Sequence, residues 1–315
     1  MRFSRRAFLG AAAAAAVGAQ PLARGALAAP AALPRPARSG IDHVVLVVME
    51  NRSFDHLLGW LPGADGKQAG LSYTDAAGVP YATFPLAPDF QGCAYRDPDH
   101  SYDGARVEWN NGACDGWLRA NDLYSIGYYR RQDLPFLGQV APAFTTCDRF
   151  FASFLGPTFP NRFYLLAATS FGHIQNDVPT VGTEFSQRSI FNTLDEAGVS
   201  WRIYSDFSFA QLFAYVRNGP PGKIVPVSQF ATDARAGTLP HVVFVDPLFF
   251  GTPNVESDEH PPSNIQVGQK FVAGIVQALF ASPQWPHSAL FLTYDEHGGY
   301  YDHVPPPPEI GRAHV

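Results

Sequence analysis

A β-branched apolar run, IDHVVLVVM at 41–49, stops abruptly at Glu50. Its composition suits a strand buried on both faces of a parallel sheet. Ser53–Leu58 then predicts a helical turn. From Ser189 the pattern alternates. Ser189 is placed to cap a helix ending near Gly198, and VSWRIY at 199–204 follows as a strand. HVVFV at 241–245 is a second such run. Ile265, Phe271, Val272, Ile275, Val276, Leu279 and Phe280 recur at the spacing of an amphipathic helix over 265–280. SALFLTY at 288–294 predicts a further strand, ending at Asp295. Residues 61–115, rich in Gly, Pro, Asp and aromatics, read as long loops. Helices alternating with apolar strands give an α/β class: a mostly parallel central sheet with helices on both faces. No internal repeat is visible.

In such sheets ligands bind beyond the carboxyl ends of the strands. Two predicted strands end in acidic clusters, Glu50-Asn51 and Asp295-Glu296, and the fold would bring both to one edge.

Charge is scarce: 16% of the 315 residues, against about 25% in ordinary soluble domains. Gly (28), Pro (28) and aromatics (14%) fill the gap, so the chain is globular and loop-rich rather than disordered. A cluster of charge therefore carries more weight here than in an average chain.

The two ends read differently from the rest. Met1–Arg6 is basic, Ala7–Gly18 is Ala-rich, and Ala26-Leu27-Ala28 fits a cleavage site, so residues 1–28 are expected to be a signal peptide. Ser4-Arg5-Arg6-Ala7-Phe8-Leu9 resembles a twin-arginine signal, which implies a bacterial protein exported folded, with the export machinery as a partner. Residues 29–40 form a Pro/Arg-rich leader, and 41–308 the domain. The tail at 309–315 back-translates to a common sequencing adapter and is expected to be an artefact. Residues 1–28 hold four arginines and no acid, so the mature chain has 18 basic against 28 acidic residues, a net of −10. That balance excludes nucleic acid as a partner. No transmembrane anchor is expected in the mature chain.

Three segments carry candidate chemistry. In Glu50–His56 a carboxylate and a carboxamide at a strand end suit a hard cation, although a capping turn would use the same residues. Tyr294–Val304 gathers three carboxylates and two histidines around Gly298-Gly299, a pair that lets backbone approach closely. In Phe154–Arg162, Gly-Pro and Pro-Asn hold Thr158 on a stiff turn with its hydroxyl displayed. Beside a divalent cation that hydroxyl becomes a nucleophile. His100 and His260 sit in acidic, Pro-containing turns; His43 reads as a core histidine. For Cys93, Cys114 and Cys147 two readings stand. Either a Cys93–Cys114 bridge closes a polar loop, or three thiols stay free and mostly buried.

Six segments resemble, in order, the bacterial phosphoesterase family of phosphatidylcholine-type phospholipases C and a related acid phosphatase, within the alkaline-phosphatase superfamily. They are ENRSFDH at 50–56, DPDHSYDG at 97–104, GPTFPNR at 156–162, SIFNTLDEAGVSWRIY at 189–204, DEHPP at 258–262 and DEHGGYYDHVPPP at 295–307. The resemblance implies an alkaline-phosphatase-like fold with one divalent metal ion, held by Glu50, Asn51, Thr158, Asp295 and Glu296. Thr158 would be both ligand and nucleophile. His100, His260, His297 and Asn161 would surround the phosphate or handle protons. An oxygen shell favours Ca²⁺, Mg²⁺ or Mn²⁺ without excluding Fe or Zn.

The implied activity is phospholipase C-type hydrolysis through a phosphothreonine, with a phospholipid as substrate. An acid phosphatase and a non-enzymatic metal- or lipid-binding exported protein are the rivals. A phosphocholine head group would want an aromatic cage, for which Trp60, Trp117, Tyr124, Tyr128 and Tyr129 are candidates beside ordinary core packing. The resemblance also implies a chain that continues past VPPP. The domain is therefore expected to be C-terminally truncated, with an apolar sheet edge left exposed and poor solubility.

Overall fold

The computed structural model describes residues 38–307 apart from 178 and 180–182. The expected signal peptide, residues 29–37 of the leader and the tail at 309–315 lie outside the described residues.

A central sheet holds five strands: β1 (His43–Met49), β2 (Trp201–Tyr204), β3 (Ile224–Val225), β4 (Val242–Val245) and β5 (Ser288–Tyr294). Their order is β3-β2-β4-β1-β5, and every pairing is parallel. The helices that matter for the site are α1 (Phe54–Leu58), α2 (Tyr102–Trp109), α3 (Thr158–Ala167), α4 (Ile190–Glu196), α5 (Phe230–Ala236) and α6 (Ile265–Phe280).

Side chains alternate across the sheet, as the two-residue period of a strand requires. Val45, Val47, Met49, Val243 and Val245 meet Phe230 and Ala234 of α5 and Val272, Ile275, Val276 and Leu279 of α6. Trp201, Ile203 and Phe244 meet Phe163 and Leu166 of α3 and Phe191 of α4 on the other face. Each such burial contributes roughly 1.5–3 kcal/mol before entropy is counted. Helices therefore cover both faces. Among the described residues, no helix is long and apolar enough to cross a membrane.

Strands β1, β4, β5 and helices α1, α4 and α6 lie where the pattern places them. Other elements depart from it, among them β3 and α5, for which the pattern gives no expectation. Residues 102–109 form α2, capped by Ser101 Oγ accepting the Gly104 N–H (3.1 Å), inside a segment expected to be loop. Its buried positions are Gly104, Ala105 and Glu108, so it has no apolar stripe to betray it. Short strand pairs, Ser72–Thr74 with Pro80–Ala82 and Phe84–Pro85 with Gly127–Tyr128, further order the region. Thr158, expected on a turn, is instead the first residue of α3. Pro160 fits there because the first turn of a helix needs no N–H from it.

The cysteines are three free thiols, with no Cys93–Cys114 bridge. Cys93 and Cys147 are exposed and only Cys114 is buried, so the expectation of mostly buried thiols is also corrected. Among the described residues strand β5 is an edge of the sheet, and its Phe291 is 57% exposed.

Candidate active site

Met49 faces Tyr294 in the β1–β5 register. Glu50 and Asp295 therefore leave the sheet side by side, and the Asp295 N–H donates to Met49 O (3.1 Å). The two acidic clusters, 245 residues apart in sequence, meet at the carboxyl end of the sheet.

Asn51 is the hub. Its backbone is left-handed (φ +59°), a conformation Asn tolerates better than most residues. Its N–H donates to Asp295 Oδ1 (3.1 Å). Its Oδ1 accepts from Thr158 Oγ1 (3.4 Å), and its Nδ2 donates to His100 Nε2 (3.2 Å). His100 Nδ1 donates to Pro98 O (2.8 Å), which fixes this tautomer.

The Gly pair makes the meeting sterically possible. Gly298 (φ +66°) lies so close to Asn51 that a β-carbon on it would strike the Asn51 backbone. A β-carbon on Gly299 (φ +70°) would strike Pro98 and Asp99, beside His100.

Helix α3 delivers Thr158 from the other side. Asn161 does not face the cluster. Its Oδ1 accepts the Phe154 N–H (2.9 Å), and its Nδ2 reaches the carbonyls of Phe154, Gly156 and Pro157 at 3.0–3.1 Å. Both ends of its amide are spent holding the chain that leads into Thr158. Asn176 Oδ1 accepts the Phe159 N–H (2.9 Å) and satisfies another open donor of the helix start.

Two residues that the sequence pattern does not single out complete the cluster. Arg162, one turn along α3 from Thr158, is buried between Glu50 and Asp295. Its Nη2 donates to Glu50 Oε1 and its Nε to Asp295 Oδ2, both at 3.2 Å. Its guanidinium also lies over Phe209 (5.0 Å) and Phe249 (5.6 Å). Burial, then the charge of Asp295, still pushes Glu50 well up from the usual carboxylate range, against the pull of Arg162. Burial likewise raises Asp295. Glu108, on α2, accepts from His297 Nε2 (2.7 Å), while His297 Nδ1 lies 3.1 Å from Glu296 Oε2. Burial opposes the charged imidazole, but Glu108 and then Glu296 outweigh it and raise His297 to about 10. His297 is thus a cation braced between two carboxylates. The i, i+4 spacing of Thr158 and Arg162 was the available signal for Arg162. For Glu108 there was none, because α2 itself was hidden.

The Arg52 guanidinium pins the DEHPP segment by donating to Glu259 O (2.9 and 2.6 Å), and the Glu50 N–H donates to Asp258 O (2.9 Å). This sets His260 against His100, ring centroids 5.6 Å apart. His260 Nδ1 is tied to Pro261 O (2.7 Å) and its Nε2 lies 3.9 Å from Asp97 Oδ2. Asp97, His100 and Pro157 line an open cleft of about 350 Å³ that also touches Gln175 and Asn176.

Among the described residues two groups offer ligand atoms within 4.8 Å of one another: Asp97, His100 and His260 here, and Asp55, Asp302 and His303 beside α1. Glu50, Asp295 and Glu296 do not form such a group. Arg162 neutralises part of their charge instead. Even so, the expected oxygen set fits a hard cation. Glu296 Oε1 is buried with no hydrogen-bond partner, while its Oε2 accepts the Gly298 N–H (2.6 Å). Asn51 Oδ1 and Thr158 Oγ1 stand together as neutral oxygen donors. The aromatic-cage expectation does not hold. Trp117, Tyr124, Tyr128 and Tyr129 are buried core residues, and Trp60 donates its indole N–H to Leu57 O.

The sequence profile of the Phosphoesterase family matches residues 41–313. The chain belongs to the phosphoesterase family. It is 33% identical over 300 residues to non-specific phospholipase C3 of Arabidopsis thaliana, which covers 85% of this chain and 57% of the relative. Phospholipase C A of Mycobacterium tuberculosis is 31% identical over 328 residues, covering 85% and 60%. Non-hemolytic phospholipase C of Burkholderia pseudomallei is 31% identical over 346 residues, covering 91% and 48%. This phosphoesterase chain thus spans about half to three-fifths of the length of these curated relatives.

Proposed function

We propose that the chain is a metal-dependent phosphoesterase of phospholipase C type, cleaving a phosphatidylcholine-like lipid to diacylglycerol and a phosphorylated head group. One observation carries the reading: Thr158 Oγ1, at the start of α3, lies 3.4 Å from Asn51 Oδ1 among buried carboxylates. A hydroxyl at a helix N-terminus sits where the backbone favours negative charge. The similarity to phospholipases C supports the lipase assignment.

Glu50, Asn51, Thr158, Asp295 and Glu296 would hold a divalent ion, for which their oxygens favour Ca²⁺, Mg²⁺ or Mn²⁺. When bound, it would polarise the phosphoryl oxygens and lower the proton affinity of the Thr158 hydroxyl. Thr158 Oγ then attacks phosphorus in line, its proton leaving to water in the open cleft, from which His260 is later reprotonated, and an O–P bond forms as the bond to the diacylglycerol oxygen breaks. His260 protonates that oxygen. Its Nδ1 is tied to a carbonyl, leaving Nε2 for the exchange. The His100 Nε2 is instead engaged by Asn51 Nδ2 (3.2 Å), which sets His100 beside the reacting phosphate. Water attacks the phosphothreonine, releases the head-group phosphate and returns the proton to Oγ. His297 braces Glu296, and Asn161 positions Thr158. The signal-like segment at 1–28 supports export through the twin-arginine machinery.

The test compares phosphatidylcholine and p-nitrophenylphosphorylcholine with p-nitrophenyl phosphate, with and without chelator. Both choline esters should be cleaved and chelator should stop it. Thr158→Ala should lose at least ~10³-fold in kcat, and Thr158→Ser should keep part of it. Preference for the monoester would favour the acid phosphatase. Chelator-sensitive lipid binding without hydrolysis of any ester would favour the binding protein.

A further inference from the structure

One apolar surface adjoins the site and has no part in its chemistry. Two loops leave the sheet at the same edge as Glu50 and Asp295. One follows β2 and carries Phe207 and Phe209; the other follows β4 and carries Phe249 and Phe250. Their rings form a continuous file. Phe159, next to Thr158, packs on Phe209 (5.3 Å) and Phe209 on Phe249 (5.0 Å). Phe207 packs on Phe209 (5.6 Å) and on Phe250 (5.3 Å). The inner rings, Phe209 and Phe249, are 4% exposed, whereas Phe250 is 73% and Phe207 37% exposed. Val255, on the second loop, is 57% exposed.

Burial of apolar surface does not explain the outer residues, because they are not buried. Phe250 is also left-handed (φ +57°), a costly backbone conformation for a bulky residue, and one that holds its ring in water. The segments FSFAQLF at 207–213 and PLFFGTPNV at 247–255 contain no charged residue. The charges that flank them are acids: exposed Asp206, half-buried Glu256 and buried Asp246. Such a rim is matched to a surface that is apolar within and carries no net negative charge.

We infer that Phe207, Phe250 and Val255 form an interfacial anchor that dips into a zwitterionic phospholipid surface and sets the Thr158 cleft against its head groups. The inference rests on the phospholipase C reading for the lipid. The anchor itself is a binding claim and is measured without turnover. Buried rings Phe209 and Phe249 connect it to Arg162 on the nucleophile's helix.

The test uses the full chain carrying Thr158→Ala, sedimented with phosphatidylcholine vesicles. Adding Phe207→Ser and Phe250→Ser should weaken binding at least tenfold. Phe144→Ser, which alters another exposed ring (55%), should leave it within twofold. With Thr158 restored, the Phe207/Phe250 pair should cleave vesicle lipid at least tenfold more slowly and soluble p-nitrophenylphosphorylcholine at an unchanged rate. Circular dichroism and thermal melts check that the variants fold. Equal vesicle binding by parent and double variant would overturn the inference. So would tighter binding to phosphatidylserine than to phosphatidylcholine, or a self-associated parent that the double variant turns monomeric. Vesicle binding that depends on Phe207 and Phe250, in a protein that cleaves no ester, would uphold the anchor and defeat the enzymatic reading.

Discussion

A β-carbon placed on Gly298 would stand 2.1 Å from the carbonyl oxygen of Asn51. That contact is backbone against backbone, so neither side can swing away. Gly298→Ala should therefore cost well over the ~1 kcal/mol of a left-handed alanine alone and displace Asn51 from Thr158. Gly63 is the matched control. It is also left-handed (φ +85°) but has nothing within 4 Å. Urea midpoints should show Gly63→Ala as mild and Gly298→Ala as severe; equal losses would mean that the close approach is not what matters.

Arg162 stands between two buried carboxylates, and removing one partner of such a group is expensive. Arg162→Met should cost about 3–5 kcal/mol in the presence of chelator. Millimolar Ca²⁺, Mg²⁺ or Mn²⁺ should recover part of that loss by supplying the missing positive charge. Denaturation curves with and without each ion measure it. An identical loss in all conditions would argue against an ion shared by Glu50 and Asp295.

Asp302 offers a pH test away from that cluster. Burial, then the charge of Asp55, pushes its carboxyl up to about 7. The unfolded value is about 3.9, so between the two the folded state binds the extra proton. Stability should fall as pH rises from 4 to 7, by up to ~1.4 kcal/mol per pH unit for this one group. Asp302→Asn keeps an acceptor for the Val304 N–H (2.9 Å) and removes the charge. The variant should equal the parent near pH 4 and exceed it at pH 8. A variant less stable at pH 8 would show that the charge is needed there.

The thiols give a simple count. Cys93 and Cys147 are exposed, whereas burial, then Asp302, pushes Cys114 up to about 12. A thiol reagent at pH 8 should titrate two equivalents in the native protein and the third only in denaturant. A single native equivalent, with no more on unfolding, would mean a disulfide.

How much of this was legible depended on the signal each feature leaves. Strand β1 and helix α6 bury full apolar faces, and such faces are periodic in sequence. Helix α2 buries a glycine, an alanine and a glutamate, so its helical period carries no hydrophobic contrast. The two-residue strand β3 is too short to have a pattern. At the site, the motifs marked Glu50, Asn51, Thr158, Asp295 and Glu296. Arg162 and Glu108 emerged only in three dimensions, because their roles come from distant partners: Val48, Met49, Glu50 and Asp295 for Arg162, and His297 for Glu108. Asn161 shows the converse, a motif residue whose side chain is spent on its own loop.

The pairing of β1 with β5 also has a consequence in time. Every partner of β1 is made late: β4 begins at Val242 and β5 at Ser288. At roughly 5–20 residues per second, the ribosome emits the first strand on the order of 10–50 s before the last one exists. During that interval an apolar run has no neighbour to hydrogen-bond, and its closure onto β5 pairs His43 with Ser288, 245 residues later. Folding of this sheet is thus dominated by distant contacts and should be slow. Whatever shields residues 43–49 while the chain is still growing would set the yield of this protein as firmly as the stability of the finished fold.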